Sequence, residues 1–281
     1  MSEATTAVFG RDRIQYKTRD QILAMRRAGL VVADALDAVR EAVKPGVTTA
    51  QLDEVAERTI RAAGAIPSFK GYYGFPASLC VSVNAEVVHG IPGKAVISEG
   101  DLVSIDCGAI LEGWHGDSAF SMIVPGGDSV RAVEDQALTD TTEAAMWSGI
   151  AALEVGGRLG DVGAAIEDRV DGRYGILEDY VGHGIGTEMH MPPEVLNYRT
   201  RDRGPKVRAG LCVAVEPMLV AGSIETTVLD DDWTVVTNDG KRAAHWEHTV
   251  AVTEDGVWVL TARDGGEKAL AALGATVTPL A

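Results

Sequence analysis

From Thr18 onward apolar and small residues recur with a helical period, at Ile22, Met25, Gly29, Val32, Leu36, Val39 and Val43. That spacing predicts one long amphipathic helix. Thr18-Arg19-Asp20-Gln21 has the form of a capping box at its start, and Lys44-Pro45-Gly46 stops it. Thr48 to Gln51 opens a second helix in the same way, with Leu52, Val55, Ala56 and Ile60 on the buried side and Gly64 at the end. Residues 1–17 show no period and are expected to form a tail or an outer strap, with one folded unit over 18–281.

After Ser68 the pattern changes to glycine, aromatic residues and short apolar runs, FKGYYGFPASLCVSVNAEVVHGIPG. A strand is expected from about Ser78 to Val83, and Val87-Val88-His89 leads into a turn. Tyr72, Tyr73 and Phe75 are either core residues or pocket walls. His89 is either a satisfied structural histidine or a catalytic one. Two apolar runs, Leu102 to Cys107 and Ser118 to Val124, then read as a hairpin, turned at Glu112-Gly113. Each strand carries an acid, Asp106 or Asp117. An ionised carboxylate costs several kcal/mol to bury alone, so a close pair calls for a shared proton or a cation.

The pattern repeats. Gly100-Asp101-Leu102-Val103-Ser104-Ile105-Asp106 aligns with Gly210-Leu211-Cys212-Val213-Ala214-Val215-Glu216 at an offset of 110 residues, which pairs Asp106 with Glu216. The same offset pairs Lys44-Pro45-Gly46-Val47 with Glu154-Val155-Gly156-Gly157, and the helix near Leu52 with one near Val162. Two similar halves could face each other and bring their carboxylates together. Further helices are expected from about Val130 to Ala152 and from Asp161 to about Asp171. The run Gly182-His183-Gly184-Ile185-Gly186-Thr187-Glu188-Met189-His190 reads as a glycine-rich loop delivering one or both imidazoles, whose separation of seven does not match a helical zinc site. Residues 197–209 form a charged loop, and Trp246 to Val252 alternates as a strand, with Glu247 on the face opposite His248 and Val250.

Charge and cysteine content narrow the setting. The balance of 25 basic against 41 acidic residues, −16 overall, disfavours nucleic acid or an anionic membrane as partner. Cys80, Cys107 and Cys212 are far apart in apolar runs, which fits reduced thiols in the cytoplasm. No apolar stretch approaches the length of a membrane span or a signal peptide. The chain of 281 residues can bury a substantial core.

Four carboxylates and at least one imidazole, presented by strands and glycine-rich loops, suit a pair of divalent cations about 3.5 to 4 Å apart around a shared water. Oxygen-rich ligation argues against a structural cysteine-type zinc site. A water made acidic by metal makes hydrolysis the natural reaction class. The bond cleaved is not legible from these residues alone.

The segments KGYYGFPASLCVSVNAEVVHGIPG, SIDCGAILEGWHGDSAF, YVGHGIGTEMHMPPEVLNY, AVEPML and WEHTVAVT, in that order, resemble the signature segments of the type I methionine aminopeptidases. The likeness runs from about Thr18 to about Thr261. It implies an α/β pita-bread fold, two pseudo-symmetric halves around a dinuclear metal site, with Co, Mn, Fe or Zn as the cations. Asp106, Asp117, His183, Glu216 and Glu247 fall on the family's metal-ligand positions. His89 and His190 fall on its non-ligand histidines, and Tyr72, Phe75, Cys80, Met189 and Trp233 on its methionine pocket.

The implied reaction is release of the N-terminal methionine of nascent polypeptides, with preference for a small second residue. In it Glu216 moves the proton of the attacking water, His190 bonds the oxyanion and His89 the scissile amide. A polarizable pocket with Cys80 and Met189 suits a thioether. The chain departs from common bacterial members at Met189 and Phe75, where aromatic and Tyr residues are usual, and at Trp246, where Tyr often precedes the glutamate. It also lacks the cysteine-rich N-terminal zinc module of some eukaryotic relatives and the long insertion of the type II enzymes, so a minimal, monomeric, bacterial-like form is expected, with ribosome contact left open. Two other readings compete. A proline dipeptidase or X-Pro aminopeptidase would share the ligands but usually carries an extra N-terminal domain. A non-catalytic relative that binds peptides, histones or RNA would have lost ligands that are present here.

Overall fold

The structure, a computed structural model, describes residues 14–280. The expected tail therefore lies outside the described residues except for its last four, and of these Lys17 is tied down by its backbone N–H, which donates to the Gly210 carbonyl at 2.7 Å.

The described residues form five α-helices: α1 (Arg19–Ala42), α2 (Thr49–Ala62), α3 (Ser129–Ala151), α4 (Gly160–Val170) and the short α5 (Glu267–Ala271). The strands are β1 (Ile66–Pro67), β2 (Leu79–Val83), β3 (Glu86–Val88), β4 (Leu102–Leu111), β5 (Trp114–Ile123), β6 (Gly175–Ile176), β7 (Gly182–Gly184) and β8 (Met191–Val195), followed by β9 (Cys212–Val215), β10 (Met218–Val220), β11 (Thr226–Val228), β12 (Val235–Thr237), β13 (Ala243–His245), β14 (Glu247–Val252) and β15 (Val257–Val259). Nine of them form one sheet in the order β1-β4-β5-β14-β9-β7-β8, with β2 added on β4 and β15 on β14. Two three-stranded sheets, β13-β10-β6 and β11-β12-β3, flank it.

Both capping boxes form: Thr18 with Gln21, and Thr48 with Gln51, exchange side-chain and backbone hydrogen bonds at the starts of α1 and α2. The apolar stripe of α1 is buried as its period requires, against a core that includes Leu79, Val103, Ile105 and Phe120 of β2, β4 and β5. α1 lies directly on β5: a Cβ added to Gly116 would stand 2.8 Å from the Gly29 backbone, and one added to Gly29 would stand 2.3 Å from the Leu260 carbonyl. Only glycine permits that approach. A second core packs Met146, Ile150, Val162 and Ile166 of α3 and α4 against Val213, Val215 and Val250 of β9 and β14. Each fully buried aliphatic side chain stabilises the fold by about 1.5–3 kcal/mol. Trp246 is packed against both cores and donates its indole N–H to Thr139 Oγ1 at 2.8 Å, so it joins the two.

The repeat is structural. The bridge Thr48↔Val96 recurs as Arg158↔Lys206, and the reciprocal bonds between 46–47 and Ile97 recur between 156–157 and Val207. Each pair stands at the offset of 110 residues seen in the sequence. The β4–β5 hairpin is longer than its apolar runs, spanning all ten residues of each strand, and turns at Glu112 (φ 52°) and Gly113 (φ 80°) as expected. One expectation is corrected: His183 lies in the strand β7, not in a loop, because its neighbours pair with β8 and β9.

Candidate metal centre

Sheet register brings the acids together. Cα partners run in a row across four strands, Cys80↔Asp106, Asp106↔Ala119 and Ala119↔Glu247. Side chains alternate between faces along a strand, so Asp117, two residues before Ala119, shares the face of Asp106 and Glu247. β14 continues onto β9, where the last paired residue, Val215, is followed at once by Glu216. His183 is one step from the Gly184↔Val213 pair on the next strand over. Five residues on or just after five strands thus meet, of which only Asp106 and Asp117, on one hairpin, are close in sequence.

They line a cavity of ≈ 110 Å³ together with Tyr72, Phe75, Cys80, His89, Met189, His190 and Trp233, every site residue named from the sequence. Depth sorts them. Asp117, His183 and Glu247 are 3%, 8% and 2% exposed, Asp106 and Glu216 are half-buried, and His190 stands at the open side. Phe75, Cys80 and Met189 are buried in an apolar cluster of their own, to which Tyr72 and Trp233 add partial cover.

Phe69 belongs to the same cluster and was not singled out from the sequence, although it begins the aromatic run that was. Tyr73, grouped with its neighbours as a wall or core residue, is neither: its φ of 45° turns it outward and leaves it 85% exposed. Two further histidines approach the centre that were not singled out from the sequence, His115 inside the hairpin segment and His245 just ahead of the last one. The His115 Nδ1 is 3.1 Å from Ser68 Oγ, and the buried His245 Nε2 lies 3.8 Å from Glu216 Oε2.

The electrostatics are one-sided. Among the described residues, no lysine or arginine lines the cavity. Burial first, then the charges of Asp117 and Glu216, push the Asp106 carboxyl well above its ordinary range. Burial carries Asp117 up to about 7, and burial with the neighbouring acids raises Glu216 and Glu247 well above theirs. Burial pushes His183 down to about 3 and His89 to about 4, so both imidazoles are neutral near pH 7. Asp106 Oδ1, Asp117 Oδ1 and Glu247 Oε1 are shut off from solvent and have no hydrogen-bond partner. Buried polar atoms of this kind are otherwise rare, and three of them in one cavity mark a place for a cation.

The donor set fits one. Asp117, His183 and Glu247 each offer a ligand atom, all within 4.8 Å of one another. His183 Nδ1 is engaged by the Gly184 carbonyl at 3.0 Å, which leaves Nε2 free to ligate, 3.3 Å from Glu216 Oε1. The remaining histidine contacts are of a different kind. His190 Nδ1 meets the Tyr72 hydroxyl at 2.8 Å, and His89, in the left-handed backbone region, sits edge-on between Tyr180 and Trp233.

Comparison with known proteins shows the family and the fold. Residues 23–254 match the model of metallopeptidase family M24. The methionine aminopeptidase 1 of Mycobacterium tuberculosis is 51% identical over 260 residues, covering 90% of this chain and 96% of that protein. The methionine aminopeptidase 1 of Bacillus subtilis is 45% identical over 246 residues, 87% of this chain and 98% of that one. Among solved structures, the methionine aminopeptidase of Rickettsia prowazekii superposes with a TM-score of 0.85 at 38% identity, over 89% of this chain and all of that chain. A prolidase from Pyrococcus horikoshii shares the fold alone, with a TM-score of 0.71 at 19% identity over 63% of its length.

Proposed function

This chain belongs to metallopeptidase family M24 and, within it, to the methionine aminopeptidases of pita-bread fold, and from that premise we propose how its residues release an N-terminal methionine. The observation that carries the reading is the cluster of unpartnered buried carboxylate oxygens beside an apolar pocket. Asp106, Asp117, His183, Glu216 and Glu247 would hold two divalent cations, Co, Mn, Fe or Zn. Bound there, the cations supply a water acidic enough to ionise near neutrality and polarise the scissile carbonyl.

The chain's own groups do the rest. Glu216 takes up the proton of the attacking water and passes it to the leaving amine. The Tyr72 phenol, held protonated because burial raises its pKa, donates to His190 Nδ1, and the imidazole then carries its proton on Nε2. From that atom His190 donates to the developing oxyanion, while His89 bonds the scissile amide. Phe75, Cys80, Met189, Tyr72 and Trp233, with Phe69, receive the methionine side chain, a soft thioether that suits a polarizable apolar wall. The small volume of the cavity favours a small residue after the methionine. Three free, buried cysteines support a cytoplasmic setting, where thiols stay reduced. No helix among the described residues is long and apolar enough to cross a membrane.

Peptide turnover tests the reading. Met-Ala-Ser should be cleaved, Met-Lys peptides poorly and Ala-Pro not at all. Chelation should abolish the activity and added divalent metal restore it. Turnover by protein shown metal-free by elemental analysis, or a preference for Ala-Pro, would overturn it.

A further inference from the structure

His245 lies outside every motif, yet it is 2% exposed and its Nε2 has no hydrogen-bond partner. Its backbone is fixed by the first half of the molecule: its N–H donates to Ser121 Oγ at 2.9 Å, and the same hydroxyl donates to its carbonyl at 2.9 Å. Ser104 of β4 backs Ser121 with a hydroxyl contact of 2.8 Å. Its ring is turned toward the second half. On the partner strand His245 stands opposite Met218, two residues beyond Glu216, and its Nε2 comes to 3.8 Å from Glu216 Oε2. The other oxygen, Oε1, faces His183 Nε2 at 3.3 Å.

Each oxygen of Glu216 thus has its own imidazole. We infer that His245 is a positioning residue for Glu216, donating from Nε2–H to Oε2 and so fixing the carboxylate's rotation while Oε1 remains on the side of His183. The gap of 3.8 Å is just beyond hydrogen-bond reach, and a small turn of the carboxylate closes it. The arrangement also removes the one buried imidazole nitrogen left without a partner near the centre. Without it Glu216 keeps its place in the chain but loses the contact that selects one rotamer. Partners of this kind, which orient a metal-holding side chain, typically change metal affinity or activity by 10- to 100-fold when removed. The inference rests on the reading of Glu216 as a metal-holding carboxylate.

Three variants and one spectrum test it. Apoprotein carrying His245→Leu or His245→Gln is titrated with Mn²⁺ by calorimetry, and kcat and KM for Met-Ala-Ser are measured on the loaded forms. Leu fills the space without a donor, and should weaken Mn²⁺ binding and lower kcat by roughly 10- to 100-fold with KM little changed. Gln carries an N–H of similar reach and should stay within about threefold of the parent on both measures. Equal behaviour of the two variants, whether unaffected or equally impaired, would overturn the inference. Should the Leu variant not fold, the parent protein decides: long-range ¹H–¹⁵N spectra of the Zn²⁺-loaded enzyme should show His245 protonated on Nε2 with a slowly exchanging proton. A bare Nε2 would reject the contact. Glu216→Gln separates the two layers. If it binds Mn²⁺ normally, the ligand reading of Glu216 fails. If it binds weakly while His245→Leu binds normally, only the role of His245 fails.

Discussion

The two halves of this molecule follow one plan and spend it differently. Each opens with a long helix, α1 or α3, passes a glycine at φ of about +90° (Gly46, Gly156), and enters a short helix, α2 or α4. Each then reaches a strand through another left-handed glycine, Gly100 or Gly210, and that strand delivers an acid. In the first half the strand is ten residues long and returns as an equally long hairpin, so Asp106 and Asp117 are held by an unbroken ladder. In the second half β9 ends at Val215, and Pro217 after Glu216 lets the chain leave for another sheet. There the imidazoles of His183 and His190, brought by a three-residue strand and the bend after it, complete the site. The first half supplies an all-carboxylate pair of ligands with His89 and most of the methionine pocket, and the second supplies mixed ligands with His190, Met189 and Trp233.

The largest effects should fall on removal of a ligand from either half. Asp117→Ala and His183→Ala should both lose metal and activity together, with His183→Ala partly rescued by excess metal because four carboxylates of the other elements remain beside its position. His190→Ala should bind metal normally and stay slow at any metal concentration, down on the order of 10²- to 10³-fold in kcat. Metal calorimetry beside steady-state kinetics separates the cases. Normal turnover in a fully metallated His190→Ala protein would remove that residue from the chemistry.

A smaller effect concerns the carboxylate wall without metal. Asp117 ionises near 7 in the folded protein against about 4 in an unfolded chain, so between those values the folded state binds a proton that the unfolded state has lost. Asp117 therefore makes the metal-free protein less stable as pH rises through this window, by a few kcal/mol, and the raised Asp106, Glu216 and Glu247 act in the same direction. Burial lowers His89, His115, His183, His245 and His248 to about 3 or 4, so below about pH 6.5 these histidines act the other way. Melting of chelated protein from pH 7 to 8, above the histidine range, should show a falling Tm, and saturating divalent metal should raise Tm most at the alkaline end. A Tm that rose with pH over that range in the chelated protein would contradict this account.

The smallest effect tests the halves as folding units. α2 begins with the Thr48 cap, whereas α4 begins at Leu159 with no side-chain cap. Thr48→Ala should cost about 1 kcal/mol in denaturant unfolding. Leu159→Ala, at the N-cap of α4, is a core truncation with no capping component, since that side chain is 3% exposed. Its cost should be larger, about 2–5 kcal/mol.

Much of this was legible in the linear chain. The stripes of α1 and α2, both capping boxes, the Glu112-Gly113 turn, the offset of 110 residues and the strand acids all depend on neighbours within a few positions, or on two segments of the chain resembling each other. Helical period, cap chemistry and turn conformation are set over that range, and a sequence displays them openly. The motif segments that located the ligands are also short. What only the tertiary structure decided is which of these pieces meet. His183 lies in a strand because β8 and β9 flank it, Tyr73 faces outward because of a local left-handed turn, and Phe69 joins the pocket through packing with Phe75 and Met189. His245 reaches Glu216 because β13 pairs with β10 while two hairpin serines from the other half hold its backbone. Such contacts depend on sheet register between strands far apart in the chain, where a shift of one residue would send each side chain to the opposite face, and no local pattern records that choice.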